Sequence, residues 1–235
     1  MPYNANIKMA KMPLAQRFPA PVLPETRKKI LLLILDGKYG TAWSGDDHQI
    51  FLEQLLEEHN VYASTPASAV HDIKYKNVKL ILVIGVDTLH STCDREGTIA
   101  ALTSFARNGG TVIFGGVPWG FSPHDEINDQ GVFHLFGLSW TVGKTVGAWT
   151  KRCATSPLMP ILRVKIPGTY LMNVKEEAAL YRVCANKLRA KPAEGAQTAV
   201  AYQAFGNGHV GYVGWQEILG EDAYAMLMVL CQCVE

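Results

Sequence analysis

The sequence predicts an α/β fold, namely a flavodoxin-like, doubly wound, mostly parallel sheet with an added C-terminal β-hairpin and helix. Three short runs, at residues 30–35, 78–84 and 111–114, are apolar without alternation except for Lys79 and Thr111. Such runs are typical of parallel strands that are buried on both faces. Segments with helical spacing of apolar residues separate them, so right-handed crossovers place the strands side by side in one sheet.

The N-terminal half alternates between strands and helices. Ser44, with Asp47 three residues later, marks a helix start as an acidic variant of a capping box. Apolar residues recur from there at helical spacing up to residue 59. The next predicted elements are a short strand at 61–63, a connector at 70–75 and a helix at about 94–107.

Residues 108–121 (NGGTVIFGGVPWGF) hold both the core of the predicted fold and the edge of its predicted site. Residues 108–110 end a helix, 111–114 form a buried strand, and 117–120 form a loop at the carboxyl end of that strand. Ligands of open parallel sheets bind outside these carboxyl ends. The turn contains no Ser or Cys nucleophile.

The second half of the chain has shorter and more varied patterns. A Gly-Asn-Gly turn between two apolar segments predicts a β-hairpin there. In order, the predicted elements are a short helix (131–137), a half-exposed strand (139–146), an irregular apolar connection (157–167), strands at 181–185, 199–205 and 209–214, and a closing helix (221–234).

Composition limits the classes of partner. The 235 residues suit a single domain at 28–235, preceded by an extended, proline-containing arm at 1–27. A net charge of +1 without a dense basic block argues against nucleic acid, and no apolar run is long enough to span a membrane. Five scattered cysteines, an odd number, are typical of reduced thiols and predict a cytoplasmic location.

No cofactor is predicted. Gly206, Gly208 and Gly211 match the spacing of a dinucleotide-binding motif, but that motif requires a helix after the glycines. Here a strand follows, so these glycines serve turns and close packing.

Polar and aromatic residues follow the predicted parallel strands at their carboxyl ends, where the loops of neighbouring strands converge into a binding crevice. Each has a structural alternative. The Asp36–Gly37 pair suits an ordinary turn, Asp87 and Thr88 suit a helix cap, and Trp119 suits core packing. The predicted ligand-binding residues are Asp36, Lys38, Tyr39, Asp87, Thr88, Gly116, Trp119, Trp215 and Gln216.

Candidate catalytic groups are Asp36, Asp87, His124 and Glu217, since carboxylates and imidazoles carry protons in acid–base catalysis. His124, Asp125 and Glu126, with His134, form a second polar cluster. Adjacent loop residues rarely all point at one ion, so no metal site is predicted. His90 and Cys93 lie close in sequence at a helix start, but no strained turn surrounds the thiol, so a passive cysteine is favoured.

The chain resembles the class I glutamine-amidotransferase-like superfamily, and its ThuA-like branch most closely, over residues 28–218. The resemblance is carried by residues 30–36, by 79–85, by RNGGTVIFGG within 106–121, by a proline-led segment ending in Glu176, Glu177 and Tyr181, and by the closing YQAFGNGHVGY hairpin. It implies the fold already predicted. The Cys that true amidotransferases carry after the fourth strand is replaced here by Gly115-Gly116-Val117-Pro118.

The sequence leaves three hypotheses for function. The first is an amidotransferase-like domain without a Cys nucleophile that binds a small polar, carbohydrate-like ligand or serves as a subunit. Tyr39, Trp119, Tyr202, Gln203 and Trp215 are available to line its cleft. The second is a hydrolase or isomerase that uses carboxylate or His acid–base chemistry. The third is a structural subunit whose N-terminal arm docks on a neighbouring copy and forms a homo-oligomer.

Overall fold

The computed structural model describes residues 28–34, 53, 55–65, 67–84, 95–115, 132–153, 163–183, 197–214, 226–227 and 230–231. The strands are β1 (Lys29–Ile34), β2 (Asn60–Ser64), β3 (Leu80–Ile84), β4 (Thr111–Gly115), β5 (Thr141–Arg152), β6 (Arg163–Met172), β7 (Ala179–Val183), β8 (Thr198–Phe205) and β9 (Gly208–Val213). The helices are α1 (Ala69–Tyr75) and α2 (Arg95–Arg107), with short 3-10 helices at Val132–Phe136 and Glu176–Ala178.

These strands form one sheet in the order β2-β1-β3-β4-β9-β8-β6-β5-β7. The first five are parallel neighbours, and their order is the 2-1-3-4-5 order of flavodoxin-like folds. The other four extend the sheet with antiparallel pairs, beginning at the β8–β9 hairpin. The predicted fold class is confirmed, including the added hairpin.

The parallel strands bury both faces, which is why their sequences are apolar without alternation. Along β1, Ile30 and Leu32 enter one hydrophobic cluster, whereas Leu31 and Leu33 enter another. The first cluster also contains five buried residues that are helical and lie outside the sheet: Leu55, Met226, Leu227, Leu230 and Cys231. The second is covered by α1, α2 and the 3-10 helix Val132–Phe136. Helices thus cover both faces, as doubly wound folds require.

Residues 70–75 are helical, so the predicted connector is wrong. Ala69 and Ile73, four residues apart, are buried against the sheet, which is the spacing of one helix face. The β-branched residues hide this spacing in the sequence. The seven-residue helix depends on tertiary packing, because helices this short are marginal alone.

The predicted irregular connection at 157–167 is also wrong in its second part. β6 begins at Arg163 and includes Pro167, which lies opposite Gly147 of β5. β6 meets β8 only at Leu171, so its first half has a single described partner strand. Proline is tolerated at such edge positions, where no partner needs its missing N–H.

The predicted hairpin is confirmed. Phe205 pairs with Gly208 across a two-residue turn, and Gly206 has a φ of +62°. A positive φ at the first turn position is typical of a type II′ turn and suits glycine. Two backbone contacts fix the hairpin beside α2: the Asn207 N–H donates to the Arg107 carbonyl over 3.0 Å, and the His209 N–H donates to the Gly110 carbonyl over 3.1 Å.

Candidate functional site

The carboxyl ends of four parallel strands lie at one level of the sheet. Ile34 pairs with Ile84, Ile84 with Gly115, and Gly115 with Val213. Neighbouring strands are about 4.8 Å apart, so these four ends span roughly 14 Å. The chain therefore leaves β1, β3, β4 and β9 at one short edge of the sheet, within the length of a small molecule.

This edge rests on an aromatic support. The Phe114 ring contacts Phe133 and Phe136 edge-on, at centroid distances of 5.5 and 5.7 Å. Phe133 also contacts Trp140 at 5.3 Å and Tyr212 at 5.7 Å. Burial, with a smaller contribution from Tyr170, raises the pKa of Tyr212 well above its usual value, so its phenol stays neutral. The residues of this support are apolar or neutral, so it supplies no charged group.

The residues of the sequence-predicted site follow the four strand ends along the chain. All of them lie outside the described residues, so their prediction stays untested: Asp36, Lys38, Tyr39, Asp87, Thr88, Gly116, Trp119, His124, Trp215, Gln216 and Glu217. The same holds for the other polar residues named with the predicted sites, which are His90, Cys93, Asp125 and Glu126.

Two polar residues named in the sequence analysis, His134 and Glu177, belong to the described part of the chain. His134 is exposed on the 3-10 helix Val132–Phe136, and Glu177 is exposed on the 3-10 helix Glu176–Ala178. Within the described parts of the chain, no group of three or more His, Cys, Asp or Glu side chains could hold a metal ion. None of the described helices is long and apolar enough to cross a bilayer.

The sequence predicts Tyr202 as a residue that can line the cleft, but in the structure its ring contacts a residue at the other end of the sheet. Its ring stacks on the His209 imidazole at 4.8 Å with an interplanar angle of 10°. Tyr202 pairs with Gly211, and His209 lies opposite Thr111 at the start of β4. The stack therefore lies toward the amino end of the parallel strands, away from the carboxyl edge.

A polar cluster at the end of β2 has no counterpart in the sequence predictions. The Ser64 hydroxyl donates to an Asp72 carboxylate oxygen over 2.8 Å, and the Ser68 hydroxyl lies 3.1 Å from that of Ser64. The Ser64 bond is the main cause of a lowered pKa for Asp72. The carboxylate is ionised at neutral pH and joins α1 to β2, which is a structural role.

Arg182 and Thr198 are a second pair that the sequence does not predict. They are cross-strand partners on β7 and β8. Since Val200 pairs with Val213, Thr198 lies two residues beyond the carboxyl end of β9. The Arg182 Nε and Thr198 Oγ1 atoms are buried and have no hydrogen-bond partner among the described residues. No pattern in the sequence indicates this pair, because it depends on a register shift between β7 and β8.

The described cysteines lack the surroundings of a nucleophile. Cys153 is half-buried, and burial raises the pKa of its thiol, although nearby Arg182 opposes this shift. Cys231 is fully buried in the first hydrophobic cluster. A raised pKa keeps a thiol protonated and unreactive at neutral pH.

Comparison with known proteins identifies the fold. No family model matches the chain, and no curated protein sequence matches it. Among solved structures, a ThuA-like protein from Bacteroides uniformis aligns with 92% of this chain and 94% of its own, at a TM-score of 0.58 and 11% identity. One from Parabacteroides merdae aligns with 80% and 79%, at a TM-score of 0.51 and 12% identity.

A β-galactosidase from Halorubrum lacusprofundi is also similar, with a TM-score of 0.56 and 14% identity. The alignment covers 88% of this chain but only 30% of that enzyme. The present protein has a ThuA-like, class I glutamine-amidotransferase-like fold, as the sequence resemblance predicted.

Proposed function

We propose that this protein is an amidotransferase-like domain without a Cys nucleophile, which binds a small polar, carbohydrate-like ligand at the carboxyl edge of its parallel strands. One observation carries the proposal: Ile34, Ile84, Gly115 and Val213 are aligned in register across four neighbouring strands. Open parallel sheets bind ligands at this edge.

The sequence supplies suitable groups just beyond the aligned ends. Asp36 follows Ile34 by two residues, Asp87 follows Ile84 by three, and Trp215 follows Val213 by two. Carboxylates accept hydrogen bonds from ligand hydroxyls, and an indole offers a flat apolar face with a polar edge. This combination suits a sugar-like molecule, which has both hydroxyls and apolar ring faces.

The segment after β4 favours binding over amidotransferase chemistry. Residues 115–118 read Gly-Gly-Val-Pro, so the segment lacks the thiol needed to attack an amide. Among the described residues, Cys153 has a raised thiol pKa and Cys231 is fully buried. Glutamine hydrolysis therefore forms no part of the proposal.

The ligand class also draws on the structural neighbours. Two of them with TM-scores above 0.5 are β-galactosidases, from Halorubrum lacusprofundi and Rahnella, and they act on sugars. Because this chain aligns with only 30% and 31% of those enzymes, we extend the ligand class to it but not the hydrolysis. A cytoplasmic location is part of the proposal, and a cytoplasmic protein of Salmonella typhimurium is another neighbour.

The second candidate is a hydrolase or isomerase that uses Asp36 and Asp87, with His124 and Glu217. It is favoured by the pairing of Ile34 with Ile84, since the two aspartates come after adjacent strands that end at the same level. Two carboxylates at one crevice can divide acid and base roles if their environments separate their pKa values.

The test is a binding titration, monitored by NMR, of the full chain with mono- and disaccharides, sugar acids and simple carboxylates. We expect one class to bind, and Asp36→Asn and Asp87→Asn each to weaken its affinity at least about tenfold, as losing one charged hydrogen bond does. Glu57→Gln, at an exposed carboxylate before β2, is the matched control and leaves affinity unchanged.

Equal affinities in all three variants would remove the carboxyl edge as the site. Chromogenic glycosides distinguish the second candidate, since turnover that is lost in Asp36→Asn supports an enzyme. Binding without turnover supports the binding domain.

A further inference from the structure

A groove lies at the opposite, amino edge of the parallel sheet. It runs between α1 and α2 and reaches the residues that lead into β3 and β4. Its volume of about 480 Å³ is in the range of ligand-binding clefts. The groove is remote from the carboxyl edge, so a role for it does not depend on the proposed ligand site.

The inner surface of the groove is apolar. Val70 and Ile73 of α1 face Ala101 and Phe105 of α2 across it. A Cβ atom added at Gly110 would overlap the Phe105 ring, so the ring lies directly on the Gly110 backbone and forms a fixed floor. Val70 is 36% exposed, and nothing among the described residues covers it.

The rim of the groove carries hydrogen-bond donors. Lys74, Asn77 and Lys79 lie along the α1 side, and Ser104 and Asn108 along the α2 side. Such donors can bind the carbonyl oxygens of an extended segment, while the apolar floor takes its side chains. A polyproline-type segment leaves its carbonyls free and is already extended, so it loses little conformational entropy on docking.

One end of the groove adjoins the start of the described chain. The Lys79 N–H donates to the Lys29 carbonyl over 3.4 Å, and Lys79 is part of the groove rim. The described residues begin at Lys28, and residues 1–27 precede it. The chain therefore passes the groove at the position where the N-terminal arm joins the domain.

The part of the arm nearest this junction has the composition that the groove fits. Residues 18–24 read FPAPVLP and contain three prolines, one aromatic ring and no charge. Only residues 25–27 separate them from Lys28, and an extended chain spans about 3.3–3.6 Å per residue. Pro24 can therefore lie up to about 14 Å from Lys28, which brings the segment within reach of the groove.

We propose that residues 18–24 dock in the groove between α1 and α2 of their own chain. The segment covers the Phe105 floor and the exposed Val70, and the Lys and Asn side chains of the rim bind its carbonyls. In this arrangement the segment packs on its own domain and does not link two copies.

The test uses the full-length chain with a photoreactive benzoylphenylalanine in place of Phe18. After irradiation, peptide mass spectrometry locates the cross-links. We expect them within residues 70–79 and 101–110 of the same chain, with the protein at monomer mass. The same photoreactive residue at Tyr3, outside the proposed segment, is expected to give at least about tenfold fewer cross-links to the groove.

Groove variants test whether the contact is specific. Val70→Glu places a carboxylate on the apolar surface, where burial is unfavourable, and should lower the cross-link yield about tenfold. Leu56→Glu is the matched control, because Leu56 is 53% exposed and belongs to the helical segment before β2. Ser104→Glu, at an exposed rim residue, is a second variant if circular dichroism shows that Val70→Glu does not fold.

Three results would overturn the proposal. Cross-links that join two chains would show arm exchange and a homo-oligomer instead. Cross-links mainly outside the groove would place the segment elsewhere. Equal yields from Val70→Glu, Ser104→Glu and Leu56→Glu would show that the groove is not the docking surface.

Discussion

In the parallel part of the sheet, the β1–β2, β1–β3, β3–β4 and β4–β9 pairs run without a register shift. In the antiparallel part, the β5–β6 and β7–β8 pairs both contain shifts, and β6 meets β8 only at Leu171. Buried polar atoms without a described partner occur there on Trp140, Arg182 and Thr198, and in the parallel part on His59. The parallel strands thus pair regularly, whereas two of the antiparallel pairs contain local irregularities.

The two parts nevertheless share a core. The second hydrophobic cluster contains Leu33 and Val83 from the parallel strands together with Trp140, Leu171 and Ala201 from the antiparallel part. A side chain removed from either part should therefore weaken one cooperative domain.

The largest expected effect tests this shared core. Leu33→Ala in β1 and Leu171→Ala in β6 each remove a side chain of this cluster that is 0% exposed. We expect each to lower the free energy of unfolding by about 2–5 kcal/mol in a single urea transition. Two transitions, or a Leu171→Ala cost below about 1 kcal/mol, would show that the antiparallel part unfolds separately.

The next effect tests the joint between the two parts. A Cβ atom at Gly208 would overlap the carbonyl oxygens of Ala106 and Gly110, which are backbone atoms and cannot move aside. We expect Gly208→Ala to cost about 1–3 kcal/mol or more in urea unfolding.

Gly137→Ala is the matched control for Gly208→Ala. Gly137 has a φ of +65°, and nothing lies within 4 Å of its added Cβ. Its cost is therefore the backbone term alone, about 1 kcal/mol. A cost for Gly208→Ala no larger than that for Gly137→Ala would show that the hairpin can move away from α2.

A smaller effect, of opposite sign, is expected at Thr198. Its buried hydroxyl has no described partner, and burying an unpaired polar group is unfavourable. Thr198→Val should leave stability unchanged or raise it by up to about 1 kcal/mol in thermal or urea unfolding. A loss above about 1 kcal/mol would show that the hydroxyl has a partner in the folded protein.

The last effect is visible only as a dependence on pH. His59 is 7% exposed, and neither ring nitrogen has a described partner. Burial, aided by Lys28 and opposed by Glu58, lowers the pKa of His59. The unfolded chain, with a His pKa of about 6.5, then binds the proton more tightly than the folded protein does.

Stability should therefore fall as the pH drops below about 6.5 and through the folded pKa of His59. Urea unfolding between about pH 7.5 and 5 measures this loss, and His59→Leu should reduce the slope. Burial also lowers the pKa of His209, which is therefore a second group that can make stability fall at low pH. If the His59→Leu slope equals that of the unmodified protein, the titrating group lies elsewhere.

The parallel strands could be predicted from the sequence because their signal is local. Residues 30–35, 78–84 and 111–114 are each largely apolar without alternation, and the structure places strands there within two residues at either end. The helix at Arg95–Arg107 and the hairpin after Thr198 also have local signals, in apolar spacing and in a Gly-Asn-Gly turn. The misses at α1 and β6 occur where partners elsewhere in the chain decide the structure.

The candidate site could be predicted only as a set of loops. The sequence indicates which residues come after each strand, and the register of Ile34, Ile84, Gly115 and Val213 supports their convergence. The Ser64–Asp72 and Arg182–Thr198 pairs could not be found this way, because the members of each pair lie on different elements, and a register shift aligns Arg182 with Thr198.

The sequence by itself determined the fold class, the strand–helix alternation and the lack of a Cys nucleophile after β4, because each depends on neighbouring residues. The tertiary structure alone decided the pairing of β6, the short helix α1, the aromatic support beneath the carboxyl edge and the groove at the amino edge. Each of these depends on contacts between segments far apart in the chain. Such contacts result from how whole elements pack, which no short stretch of sequence specifies.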